Sequence, residues 1–191
     1  MSAIELIAAL LSFVYALALT HLLQSAAELW LARRRVRFSL GLAAWMFLSC
    51  LMLVNNWLAL IPLAKSEWSQ SVALTAFVIA VVQYFTCALC SMKPAENGRV
   101  DMRAFEEDQD EGYKVAYLAM TALVVFDTGR QYELIMGAPF SWSGLFQASW
   151  TMLAFALAIA VSLCWKARWF QLAVPIAYCG FLLWVMSLAQ I

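Results

Sequence analysis

Charged residues are scarce in this sequence: only 13% of its 191 residues are Asp, Glu, Lys or Arg, and glycine and proline are few. A soluble domain of this length needs more polar surface to stay in solution. The formal net charge is zero and the sequence has no basic patch, which argues against nucleic-acid binding. Hydrophobic residues make up 65% of the chain instead.

Motifs for catalysis and cofactor binding are also missing. The sequence has no G-x-x-x-x-G-K-[ST], no H-E-x-x-H and no G-x-S-x-G, so it gives no support to an ATPase, a zincin or a common serine hydrolase. His21 is the only histidine, which excludes ordinary bis-histidine haem ligation within one chain. We therefore predict no catalytic residue, no cofactor and no metal ligand.

One metal site is chemically conceivable and stays open at this point. Cys87 and Cys90 form a C-x2-C pair, and two thiolates with the His21 imidazole would suit zinc or copper. A single C-x2-C pair on a membrane helix is a weak signal, because cysteine often replaces alanine as a small packing residue there.

Apolar runs of about 20 residues recur along the chain, and each is long enough to cross a hydrocarbon core of roughly 30 Å. The sequence therefore predicts an all-α integral membrane protein that forms one polytopic domain over residues 1–191, an up-down bundle. The weakest of the predicted spans is the fourth, whose clean apolar run covers only residues 115–126. The six predicted spans are residues 4–31, 40–64, 69–92, 113–136, 143–165 and 168–190.

The basic residues segregate between the two sides of this bundle. Ten of the twelve lysines and arginines would lie on one side, which leaves Lys65 and Arg130 on the other. Because basic loops stay in the cytoplasm, both termini are predicted to be non-cytoplasmic, in a plasma membrane that we expect to be a bacterial inner membrane. Residues 93–112 then form an acidic cytoplasmic loop. It is either simply solvated, with room for a short surface helix from Met102, or a docking site for a cytoplasmic protein partner.

Polar side chains inside the predicted spans are the candidates for a polar interior. In span 1, His21, Gln24 and Glu28 follow at i, i+3 and i+7, so a helix places them on one stripe. Ionisable residues within a membrane are costly and often mark a functional site. The full set of candidates is Asp127, Arg130, Asn55, Asn56, His21, Gln24, Glu28 and Gln83.

Two of these groups allow more than one interpretation. Asp127 and Arg130 form either a local structural ion pair near the outer interface or part of a water-filled path, and the structural interpretation is favoured. His21 and Glu28 either relay protons and sense pH or serve in hydrogen bonds between helices and charge neutralisation. The second interpretation is favoured there as well.

Small residues recur every fourth position in spans 1 and 5, as in Ala154, Ala158 and Ser162, and such stripes allow helices to approach closely. We therefore expect a homo-oligomer in the lipid bilayer. The favoured function is a small oligomeric channel or transporter-like protein whose polar interior passes ions, protons or a small solute. The alternatives are a non-transporting scaffold or regulatory subunit acting through the acidic loop, and a membrane enzyme or redox protein acting on a lipid or quinone.

Overall fold

The computed structural model describes residues 3–63, 70–92, 100–130, 132–133, 137 and 139–188. Within this part the chain forms six long helices and one pair of two-residue parallel strands. The helices are α1 (Ala3–Leu31), α2 (Leu40–Leu63), α3 (Gln70–Cys90), α4 (Met102–Arg130), α5 (Trp142–Cys164) and α6 (Arg168–Leu188). The strands are β1 (Val36–Arg37) and β2 (Val100–Asp101).

Short polar side chains begin three of the helices by accepting hydrogen bonds from otherwise unpaired backbone N–H groups. Asp101 accepts from the backbone of Arg103 and Ala104 at the start of α4, at 3.0 and 3.2 Å. Ser141 accepts from the backbone of Gly144 at the start of α5. Ser39 lies in the same position before α2, where its hydroxyl is 3.5 Å from the backbone nitrogen of Leu42, the third residue of the helix.

Five of the helices are long and apolar enough to span a membrane, which confirms the all-α membrane class. The five segments are Leu6–Leu31, Leu40–Ala59, Ser71–Cys90, Trp142–Cys164 and Arg168–Ser187. The remaining helix, α4, falls outside this group because Lys114, Asp127 and Arg130 interrupt its apolar sequence.

Helix α2 lies in the middle of the bundle, where it contacts α1, α3, α4 and α6. The other helices follow one another around it in the order α1, α3, α4, α5, α6. The largest fully buried side chains, which include Trp45, Tyr113, Tyr117 and Lys114, lie where α2 and α4 face each other. An aromatic and partly charged core therefore occupies the centre of the bundle.

Contacts between helix ends give the direction of each helix. Ser25 near the end of α1 bonds to Met92 after α3, while Ser39 before α2 bonds to Glu106 in the first turns of α4. Lys166, between α5 and α6, reaches Asp110 in the same region. The helices therefore alternate in direction, and we call the end where α1, α3 and α5 finish and α2, α4 and α6 begin the charged end.

The structure extends the helical part of the segment 93–112. The sequence allows a short surface helix from Met102, and residues 102–112 form the first three turns of α4, continuous with the fourth predicted span; residues 93–99 lie outside the described part. The physical reason is that Asp101 caps the helix and Asp110 pairs with Lys114 one turn later, so this polar stretch is stabilised as helix.

Candidate functional site

An ion pair buried at the charged end is the centre of the site. Lys114 on α4 pairs with Asp110 one turn earlier, and the Lys114 side chain is 0% exposed. The hydroxyl of Tyr113 donates a hydrogen bond of 3.0 Å to the same carboxylate. Burying two charges costs several kcal/mol of desolvation for each ion, so both must be held by further partners.

The hairpin between α5 and α6 supplies those partners. Gln171 on α6 accepts a hydrogen bond from the Lys114 ammonium, and its amide donates to the backbone oxygens of Ser162 and Trp165 at 2.6 and 2.8 Å. Lys166 donates to the second oxygen of Asp110 at 3.2 Å. This hydrogen bond to Asp110 raises the pKa of Lys166, so its ammonium remains charged beside the carboxylate.

A cavity of about 660 Å³ opens at the charged end above this ion pair. Three carboxylates and three basic side chains line it together with the first residues of α2 and α6. The charged residues are Arg103, Glu106, Glu107, Asp110, Lys166 and Arg168. Because both signs are present, the cavity suits a small polar solute rather than an apolar one.

One wall of this cavity depends on a glycine. The Glu106 carboxylate hydrogen-bonds to the hydroxyl of Ser39 and lies against Gly41 in the first turn of α2. A Cβ atom added at Gly41 would collide with a carboxylate oxygen of Glu106. The Glu106 carboxylate can keep this position only while residue 41 is glycine, and a methyl group there would displace this end of a flexible side chain rather than the helix backbone. A carboxylate at a helix start is electrostatically favourable.

A second polar network lies deeper in the bundle. The side-chain amide of Asn56 donates to Gln83 at 3.2 Å, and Gln83 donates to the backbone oxygen of Ser49 at 3.4 Å. The Ser49 hydroxyl is 2.6 Å from that of Tyr117, which donates to the backbone oxygen of Trp45 at 3.2 Å. These contacts join α2, α3 and α4 through residues that are largely buried.

Trp45 lies between the two networks. Its ring contacts those of Tyr113 and Tyr117, with centroid distances of 5.4 and 5.0 Å. Its indole Nε1 is buried and has no hydrogen-bond partner among the described residues. A buried N–H donor without a partner costs roughly 1–3 kcal/mol, so a polar molecule beside Trp45 would be stabilised there.

The predicted stripe on α1 divides between two faces. His21 Nε2 lies 3.0 Å from the Tyr84 hydroxyl on α3, with the two rings edge to face. Gln24 instead donates to Glu28 at 2.9 Å on the exposed side of α1. His21 therefore connects α1 to α3, while Gln24 and Glu28 pair with each other away from the interior.

Asp127 and Arg130 lie near the other end of α4. Arg130 Nη2 is 3.0 Å from Asp127 Oδ1, and the two side chains are 21 to 27% exposed. The two residues are three positions apart on one helix, so they form a local ion pair. Of the two asparagines on α2, Asn56 bonds to Gln83 in the deeper network, and Asn55 is half-buried.

Of the possible metal ligands, Cys87 and Cys90 both belong to the deeper network, whereas His21 lies outside it. Cys87 accepts a contact from Gln83 and Cys90 one from Ser49, both at 3.6 Å, while His21 bonds to Tyr84. Among the described residues no group of three histidine, cysteine, aspartate or glutamate side chains is arranged to hold a metal ion.

The sequence alone does not single out the buried ion pair, because Asp110 lies in the acidic segment 93–112 and Lys114 enters only as one of the basic residues that indicate topology. A signal is present, since one helical stripe crosses the boundary between this segment and the fourth span at the i, i+3, i+4 and i+7 spacing. The residues of this stripe are Asp110, Tyr113, Lys114 and Tyr117. A helix that runs unbroken from Met102 into the fourth span places all four on one face.

The fold and this interior define the chain as an all-α membrane protein with a charged, partly buried site at one end of its bundle. No protein-family model, curated protein or solved structure matches it.

Proposed function

We propose that the chain is a channel- or transporter-like membrane protein whose interior passes protons or another small polar solute that enters at the charged end. The observation that carries this proposal is the fully buried Lys114, paired with Asp110 below an open cavity of about 660 Å³. Replacing a buried ion pair by apolar side chains is often neutral or stabilising, so stability gives little reason to keep one. Buried ionisable groups of membrane proteins commonly mark a solute or proton pathway.

The polar groups that continue inward support a pathway rather than an isolated pair. Tyr113, whose hydroxyl donates to Asp110, meets Trp45 only through a ring contact. From the backbone oxygen of Trp45 a hydrogen-bonded series then runs through Tyr117 and Ser49 to Gln83. Hydroxyls and amides both donate and accept, so such a series can pass a proton or solvate a small solute. The unpartnered indole N–H lies at the junction of the two networks.

The proposed orientation has six spanning helices with both termini outside the cytoplasm. It is supported by the alternation of helix directions, because α3 and α5 both finish at the charged end and α4 must return the chain between them. Single cysteines placed at Arg35, Arg103 and Lys166 should react only with a reagent that reaches the cytoplasmic side. Labelling of Lys166 from the opposite side to Arg35 would remove α4 from the set of spanning helices.

Flux through reconstituted protein tests the proposed function. Liposomes that contain a pH-sensitive dye and a potassium diffusion potential should change internal pH faster with the protein than without it. The double variant Asp110→Asn/Lys114→Met removes both buried charges together, so neither is left unpaired, and it should lower the rate to that of protein-free liposomes. Asp127→Asn is the matched control, because it removes a carboxylate of the same helix outside the site.

Two results would contradict this assignment. Wild-type liposomes that are no more permeable than empty ones to protons, potassium and chloride would exclude the channel function. Loss of flux in Asp127→Asn, with normal flux in the double variant, would move the pathway to the other end of α4. Circular dichroism of each reconstituted sample separates loss of transport from loss of folding.

A scaffold or regulatory subunit remains the second candidate, and one observation favours it. The first turns of α4 project Glu107 and Asp108 as exposed carboxylates on a helix that Ser39 and Lys166 hold in place. If flux is absent, the charge reversals Glu107→Lys and Asp108→Lys should release a bound partner from the complex isolated in native membranes, and unchanged composition would contradict a scaffold. The homo-oligomer that we expect can be counted in the same samples by native mass spectrometry.

A further inference from the structure

A second cavity lies beside the charged one and differs from it in almost every chemical respect. It has a volume of about 430 Å³ and lies between α1 and α2, with Met102 at the start of α4 also lining it. Its walls are aliphatic and aromatic, and it is open at the side. The ring of Phe38 lines both cavities and separates them.

The length of this groove covers most of one leaflet of a bilayer. On α1 its lining residues run from Leu22 to Trp30, a rise of roughly 12 Å at 1.5 Å per residue, and Arg33 follows in the turn after the helix. Half of a hydrocarbon core of roughly 30 Å is about 15 Å. The groove therefore extends from the charged end through most of the depth of one leaflet.

The groove is apolar along its length and basic at its mouth. Arg33 is its only charged lining residue in the described part of the chain, and the guanidinium carbon lies 5.2 Å from the centre of the Trp30 ring. Trp30 is 70% exposed, as expected for an aromatic side chain at the boundary between lipid and water. Arg34 and Arg35 follow immediately and are exposed.

We propose that this groove binds one anionic phospholipid, with an acyl chain along α1 and α2 and the phosphate at Arg33. An acyl chain fits the aliphatic walls, and clusters of basic residues beside a membrane helix attract anionic headgroups. A second copy of the chain is a poorer occupant, since it would cover Arg33 and would have to supply a carboxylate to avoid a buried unpaired charge. The proposal does not depend on the transport function.

Native mass spectrometry of the purified protein with added phosphatidylglycerol or phosphatidylcholine tests the proposal. The wild type should retain one phosphatidylglycerol per chain in preference to phosphatidylcholine. Arg33→Gln should weaken phosphatidylglycerol binding about fivefold, the factor expected for one basic side chain near an anionic headgroup, and leave phosphatidylcholine unchanged. Ala26→Phe, which fills the groove from its exposed wall, should reduce the retention of both lipids.

Arg103→Gln is the matched control, because it removes the same charge at the same end but from the wall of the other cavity. It should retain phosphatidylglycerol as the wild type does. Equal retention of the two lipids by the wild type would overturn the proposal, and so would equal phosphatidylglycerol retention by Arg33→Gln, Ala26→Phe and the wild type. A change of subunit number in Ala26→Phe, without a change in bound lipid, would assign the groove to a second copy and also overturn it.

Discussion

Two ion pairs on the same helix have similar spacing in the sequence but differ in burial. Asp110 and Lys114 are separated by four residues of α4, and Asp127 and Arg130 by three, roughly 26 Å further along the helix. Lys114 is fully buried and contacts α6 through Gln171, whereas Asp127 and Arg130 remain partly exposed. The local spacing is comparable, so the difference comes from the helices that pack against each pair.

The spacing of charged residues along a membrane helix therefore does not show which of them are buried. A partly exposed i,i+3 pair can reach an interface, where water and headgroups solvate it at little cost. A pair enclosed by neighbouring helices has lost that solvation and depends on its cross-helix partners. Four perturbations of the molecule test this contrast, in order of decreasing effect.

Removing one member of the buried pair should have the largest effect on stability. Asp110→Ala leaves the Lys114 ammonium buried without its carboxylate, and an uncompensated buried charge costs roughly 3–5 kcal/mol. We expect Asp110→Ala/Lys114→Met to recover most of the free energy of unfolding, measured by denaturant titration in micelles. Equal destabilisation by the single and the double variant would show that the pair is not coupled.

A methyl group at Gly41 should have an intermediate effect at the same end of the bundle. Gly41→Ala forces the Glu106 carboxylate away from Ser39, and the lost hydrogen bond should outweigh the better helix propensity of alanine by roughly 1 kcal/mol. Gly41→Ala/Glu106→Ala should be more stable than Gly41→Ala alone.

Gly180 on α6 is the matched control, because nothing lies within 4 Å of a Cβ atom there. Gly180→Ala should be neutral or stabilising, and similar losses at both glycines would disprove the close approach.

Substitutions in the partly exposed pair of Asp127 and Arg130 should lower the free energy of unfolding by less. Asp127→Asn and Arg130→Gln are each expected to lower the free energy of unfolding by about 1 kcal/mol or less, because exposed ion pairs contribute little. The double variant should recover part of that loss, since contacting residues are coupled. A loss from either single change as large as that from Asp110→Ala would remove the distinction between the two pairs.

The smallest effect on stability should come from protonation of Asp101 at the start of α4. Hydrogen bonds from the backbone of Ala104 and Arg103, with the Arg37 guanidinium, hold the pKa of Asp101 below its usual value. A carboxylate with a lowered pKa stabilises the fold above its ordinary pKa of about 3.8, and this contribution is lost as the pH falls through the lowered value. The difference in Tm between the wild type and Asp101→Asn should therefore narrow below about pH 4. A difference that is independent of pH would assign no role to the charge of Asp101.

Much of the fold followed from the sequence because membrane spans carry a strong local signal. A run of about 20 apolar residues has few alternatives to a spanning helix, since every backbone polar group must be paired inside the segment. The five helices that meet this criterion all coincide with predicted spans. The fourth helix was harder to delimit, because its first three turns are polar and are stabilised by Asp101 and by the pair of Asp110 with Lys114.

The candidate site was only partly predictable for a related reason. Gln83 lies at the i, i+3, i+4 spacing with Thr86 and Cys87, which places all three on one face of α3. In the structure Gln83 is bonded to Asn56 and Ser49. The same spacing joins His21 with Gln24, but only His21 faces α3. One helical stripe covers enough of the circumference to include both a packed and an exposed edge, and only neighbouring helices decide between them.

The class of this protein follows from the sequence, because hydrophobic runs, scarce charge and segregated basic residues can be identified along the chain without any tertiary contact. Which charges are buried depends instead on how distant parts of the chain pack together. Lys114 is enclosed because α6 and the turn before it bring Gln171 and Lys166 to the start of α4, more than 50 residues away in the chain. Such contacts depend on how the helices pack around α2, and no periodicity within one helix specifies them.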